Sequence, residues 1–127
     1  MNNAKKKIVA VLSDLIFTVK IQEAAKRAGL EVTFVSSKEK ALAQAQDKPA
    51  AMILDLNDSR VNALELIGTL KGDPGTSGIE LVGYVSHVQV DLKQAALDKG
   101  CDLVVARSAF SQNLPSILNR YLVSANE

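Results

Sequence analysis

Two apolar patterns take turns along this chain. Residues 7–12 run Lys-Ile-Val-Ala-Val-Leu, β-branched and apolar after the lysine, which predicts a buried strand. From 15 to 28 the period lengthens. Leu15, Val19, Ala24, Ala25 and Ala28 are expected to share one helical face, with Lys20, Glu23 and Lys26 turned to water and Gly29 as the stop. Residues 31–35 form a second strand pattern. Ser36-Ser37-Lys38-Glu39 reads as a capping box, Ser36 pairing with Glu39, and opens a helix through Ala41, Leu42 and Ala45 that ends before Pro49.

The run Ala-Ala-Met-Ile-Leu at 50–54 is apolar without relief and is closed by Asp55. Such a run, flanked by Lys48-Pro49 and Asn57-Asp58-Ser59, predicts a parallel strand buried on both faces. A helix follows over 61–71 with Leu64, Ile67 and Leu70 inward, then a turn-rich loop at 72–78. Residues 80–85 predict a strand, 91–99 a helix stopped by Gly100, and 103–106 the last strand. The final helix is expected to begin near 111–114, with Pro115 in its first turn. It would show Leu114, Ile117, Leu118, Tyr121 and Leu122 to the core. Strand and helix thus alternate five times with short connections. That order predicts a single α/β domain over 1–127, a parallel sheet with helices on both faces and right-handed crossovers.

Composition narrows the function. A chain of 127 residues, 47% hydrophobic and 23% charged, is an ordinary globular one, and a net charge of +1 gives no field to draw nucleic acid or a membrane. Lys5-Lys6-Lys7 reads as a solvated lead-in to the first strand. No stretch has the length of a membrane span or the apolar core of a signal peptide. One cysteine forms no internal disulfide, so a reducing cytoplasm is the expected setting. One Cys and one His also leave no structural zinc site.

The chemistry to be expected collects at the carboxyl ends of the strands, where open α/β sheets bind their ligands. Asp55 stands there, at the end of the most buried strand. His87 follows Ser86 at the same mouth and reads as a loop histidine bonded to backbone. Cys101 reads as a small buried hydrophobe. The glycines of the 72–78 loop lack the Gly-Lys-Ser/Thr of a phosphate-cradling loop. There is likewise no dinucleotide fingerprint and no nucleophile elbow, so nothing beyond the fold class supports an enzyme or a small-molecule binder.

Five βα units with an Asp closing the third strand resemble the receiver domain of bacterial response regulators. The resemblance spans nearly the whole chain. It rests on Gly29, Pro49, Asp55, the spacing from Asp55 to Ala63-Leu64-Glu65-Leu66, Gly100, and Arg107 after the fifth strand. It implies the flavodoxin-like strand order 2-1-3-4-5, and a cytoplasmic signalling module rather than an enzyme. Asp55 stands at the phosphoacceptor position. The family's acidic pair for magnesium falls on Leu12 and Ser13, with Asp14 one place later. Its Thr/Ser falls on Val85, with Ser86 next. Its lysine is Arg107, its following proline Ser108, and its switch aromatic falls near Val105.

Phosphoryl transfer to a carboxylate needs positive charge to offset two negative groups, and a magnesium ion with a lysine supplies it. With the acidic pair replaced, magnesium binding is expected to be weak or absent. The resemblance therefore implies an atypical, pseudo-receiver subtype whose pocket comprises Ser13, Asp14, Ser86, His87 and Arg107. Arg107, with its planar fork, is expected to pair with Asp55. Its partners are expected to be signalling proteins, a histidine kinase or an output protein. They would dock on the fourth and fifth helices, with Phe110 in a neighbouring loop as the candidate contact or else a core residue. The rival reading is a phosphorelay receiver phosphorylated on Asp55, with Asp14 holding a weakened metal.

Overall fold

The computed structural model describes residues 6–86 and 89–125, with side chains as far as 120. Strands and helices alternate as β1 (Lys6–Val11), α1 (Leu15–Ala28), β2 (Leu30–Val35), α2 (Lys38–Ala45), β3 (Ala51–Asp55) and α3 (Ala63–Gly72). They continue as β4 (Glu80–Val85), α4 (Val90–Asp98), β5 (Leu103–Ala106) and α5 (Arg107–Ala125). The five strands form one parallel sheet in the order β2-β1-β3-β4-β5. No helix among the described residues is long and apolar enough to cross a membrane.

The central strand shows why the apolar run is unbroken. Ala51 and Ile53 face the core shared with α1 and α5, whereas Met52 and Leu54 face the core shared with α2, α3 and α4. Successive side chains of a strand point to opposite faces, so a strand covered on both sides has no position for a polar residue until it ends. It ends at Asp55, and the alternation turns that carboxylate toward the α1 and α5 layer.

Three local expectations are corrected. In α1 the core face is Phe17, Ile21 and Ala25, while Leu15, Ile16 and Val19 are exposed. Leu15 and Val19 lie half a turn round from Phe17 at helical spacing, so the aromatic and the isoleucine take the inner face and displace them. Helix α2 is capped by Ser37, whose hydroxyl accepts from the Lys40 N–H at 3.2 Å, and not by Ser36.

The third correction concerns α5, which starts at Arg107 directly after β5. Pro115 thus lies inside the helix rather than in its first turn. Phe110, assigned above to a loop, is a helical residue with no exposed surface, packed with Leu114, Ile117 and Leu118. The side chains of Tyr121 and Leu122 lie outside the described residues. Cys101 is buried as a small residue, its thiol donating to the carbonyls of Leu81 and Leu103 at 3.4 Å.

Candidate functional site

Asp55 ends β3 with 6% of its surface exposed, and its Oδ1 accepts the N–H of Asn57 at 3.0 Å. Burial is the main influence on its proton. Together with the nearby charge of Asp58 it holds the carboxyl above the usual range, against the Asn57 N–H, the Arg107 guanidinium and the Tyr84 hydroxyl.

Parallel register places Asp55 directly beside Tyr84 of β4, on the same face of the sheet. The Tyr84 ring packs against both Phe17 of α1, at 5.0 Å between centroids, and Phe110 of α5, at 4.9 Å. Its hydroxyl is buried beside the Asp55 carboxylate and makes no hydrogen bond of good geometry. Burial, with the neighbouring Asp55 carboxylate, pushes the phenol's pKa far up, so it stays protonated.

Arg107 does not pair with Asp55 as expected. Its Nη2 donates to Asp14 Oδ2, and the guanidinium lies 4.2 Å from the centre of the Phe17 ring. Asp14 is the N-cap of α1: its other oxygen accepts the N–H groups of Ile16 at 2.9 Å and Phe17 at 3.2 Å. The Arg107 hydrogen bond is the largest influence on the Asp14 carboxyl and holds it below the ordinary value. The same pairing raises the Arg107 pKa. The aspartate that stood in reserve as a metal ligand is therefore bound to a helix end and a cation. Arg107 is drawn to it because both sit on the α1 and α5 layer, with Phe17 beneath.

Ser13 is engaged elsewhere. Its N–H donates to Asp58 Oδ2 at 2.9 Å and its hydroxyl donates to the same oxygen. Asp58 Oδ1 accepts the Arg60 N–H at 2.9 Å. Burial works against ionised Asp58, but the Ser13 hydroxyl and these backbone donors outweigh it and keep its carboxyl below the ordinary range. Ser86 donates its N–H to Asn57 Oδ1 at 2.9 Å, and the Asn57 amide donates in turn to Gln89 Oε1. His87 lies outside the described residues. Beside the cluster opens a cavity of about 380 Å³ lined by Phe17, Ser86, Arg107, Ser108 and Ser111. Asp55 is not part of its wall.

Sequence reasoning thus missed Asn57, Asp58, Tyr84 and Phe17. Asn57 and Asp58 had a signal in their place just past Asp55, in the βα loop that frames the mouth of the sheet. Tyr84 had one too: Asp55 and Tyr84 each come near the end of adjacent strands, and counting from strand starts would have set them side by side.

The donors present do not fit the magnesium site of a receiver. Leu12 is buried among apolar side chains where an acid would stand. Both oxygens of Asp14 and of Asp58 already accept hydrogen bonds. Among the described residues no group of three His, Cys, Asp or Glu is placed to hold a metal ion. Magnesium asks for octahedral oxygen ligation and gives up its water reluctantly, and one half-engaged carboxylate is a poor reason to do so.

No protein-family model matches the chain, and no curated protein does. Solved structures do match. A phosphorylated cyanobacterial phytochrome response regulator shares 24% identity over 92% of this chain and 91% of its own, with a TM-score of 0.78. A response regulator from Hahella chejuensis shares 21% identity over 93% and 96%, with a TM-score of 0.84. The receiver domain of a sensor histidine kinase from Pseudomonas aeruginosa, solved with magnesium coordinated in its active-site cleft, shares 16% over 93% and 98%, with a TM-score of 0.80. The fold is that of a response-regulator receiver. At these identities the likeness carries the architecture, and the chemistry rests on the residues just described. The receiver fold here keeps the aspartate and surrounds it with a different cast.

Proposed function

We propose that residues 1–127 form a pseudo-receiver, a cytoplasmic signalling module that acts by docking to other proteins and takes up phosphate on Asp55 poorly or not at all. The observation that carries this reading is the engagement of Asp14. It caps α1 and binds Arg107, so one contact removes both the spare acid and the spare cation from Asp55. The buried Leu12 and the Ser13–Asp58 bonds support the same reading. With Arg107 engaged by Asp14 and no metal site among the described residues, the charge that builds up during phosphoryl transfer is poorly offset. Partners in keeping with the fold are a histidine kinase or an output protein.

The test is an amide NMR titration of the full chain with magnesium and beryllofluoride, together with mass measurement after incubation with acetyl phosphate. The expected result is no saturable shift around Asp55 at millimolar magnesium and no phosphoryl adduct. Saturable shifts centred on Asp55, with an adduct lost in Asp55→Asn, would establish the phosphorelay reading instead.

A further inference from the structure

We propose that Tyr84 reads the charge on Asp55 and relays it to the seam between α1 and α5. The two residues are register partners on adjacent strands and face the same layer. The Tyr84 hydroxyl is buried and makes no hydrogen bond of good geometry, a condition that native structures avoid unless the group has a use, yet Asp55 is near enough for each group to act on the other's proton. The donor lies beside an acceptor whose strength depends on its charge. Ionised Asp55 pulls the phenol O–H toward β3, because a hydrogen bond to a carboxylate is roughly twice as strong as a neutral one. Neutral Asp55 accepts only weakly, and the ring then sits where its aromatic neighbours put it.

Those neighbours make the relay. The three rings form a triangular cluster in which each touches the other two, Phe17 and Phe110 being 6.2 Å apart, and Phe17 belongs to α1 while Phe110 belongs to α5. A tilt of the Tyr84 ring, which touches both phenylalanines, shifts the anchors of both helices at once, since a close-packed interior transmits displacement. The same seam carries a Lys20 Nζ to Ser111 Oγ bond of 3.2 Å between the two helices. The place where receivers carry their switch aromatic falls here on Val105, which pairs in register with Tyr84 on its other side. The aromatic therefore stands one strand nearer the aspartate. The face it addresses is α1 and α5, not α4 and α5.

The charged groups that act on Asp55 are Asp58 from the loop after β3 and Arg107 from α5; Asp14, from the turn before α1, acts on Tyr84, and Lys20 of α1 lies 6.0 Å from the Phe17 ring centre. Asp14 and Asp58 are held ionised by their own partners and Arg107 by Asp14, so they form a fixed background while Asp55 changes.

The test uses the full chain with carbon-labelled aromatic and carboxyl groups, followed by NMR as pH is varied. The Phe17 and Phe110 ring resonances are expected to move with the same midpoint as the Asp55 carboxyl. In Asp55→Asn they should stay at their low-pH positions. In Tyr84→Phe the Asp55 midpoint should rise, because the ionised form has lost a donor, and the ring response should shrink several-fold. His87→Gln should leave the wild-type response intact. Phenylalanine rings that ignore the Asp55 titration in the wild-type protein overturn the proposal, whatever the variants do. So does an equal response in Tyr84→Phe, or one that vanishes in His87→Gln. No magnesium or phosphoryl donor enters this experiment, so its failure and the failure of the pseudo-receiver reading are separate results.

Discussion

Arg107 had a choice of two carboxylates and took the one that was already useful. Asp14 offers a partly exposed carboxylate at the start of α1, whereas Asp55 is buried, and bringing a guanidinium to it would strip water from both charges. This ranks the two residues for stability. Asp14→Ala removes an N-cap and should cost about 0.5–2 kcal/mol in urea unfolding. Arg107→Ala removes a partly exposed ion pair and should cost only about 0–1 kcal/mol. Equal losses would mean that the pair, and not the cap, is what Asp14 contributes. Asp55 differs in sign. Its carboxyl is raised by folding above the ordinary 3.8. The folded state then binds more protons than the unfolded chain between those two values, and stability falls as pH rises through that window. Asp55→Asn removes the ionised group and should therefore stabilise the protein at neutral pH, with the gain fading toward pH 3.8 and below. Asp14 and Asp58, held low, act oppositely: their contributions are present above 3.8 and are lost as pH falls through their folded values. A neutral-pH loss of stability in Asp55→Asn would contradict the burial argument.

The helices on the Asp55 side are where pattern and packing disagree most. Helix α1 carries Leu15, Ile16, Phe17, Val19 and Ile21, apolar residues enough for two faces, and only packing against the sheet and α5 decides between them. The winning face holds the larger ring. Helix α5 starts without a loop, which decides between the two expectations for Phe110 and makes it a core residue of the aromatic cluster. Two substitutions separate core from surface. Phe110→Ala should cost about 3–5 kcal/mol, the range for emptying a buried aromatic site. Ile16→Lys, at a position 68% exposed, should stay within about 0.5 kcal/mol of the parent. Chemical denaturation reads both, and a costly Ile16→Lys would mean that α1 is turned the other way.

At the scale of the whole molecule, the architecture was legible because burial on both faces of a parallel sheet leaves few choices. The run from Ala51 to Leu54 has no polar residue to misplace, and Gly29 and Gly100, with φ of 77° and 112°, mark helix ends that most side chains avoid. The site was less legible because its contacts join residues far apart in sequence. Nothing near Arg107 foretold Asp14, and nothing near Ser13 foretold Asp58. The Ser13–Asp58 contact sets up a last experiment. Ser13→Asp would place a second carboxylate against Asp58 and remove the hydroxyl that Asp58 now accepts. Without metal the variant should melt below the parent, by about 1–3 kcal/mol for a partner lost and a like charge gained. A divalent ion bridging the two carboxylates would reverse this. At a magnesium concentration ten times its dissociation constant the gain is about 1.4 kcal/mol, or roughly 5 °C for a domain of this size. The parent should show no such rise, since the oxygens of Asp58 and Asp14 already have partners. A parent melting temperature that climbs with magnesium as steeply as the variant's would show that the existing donors suffice, and the pseudo-receiver reading would fall with it.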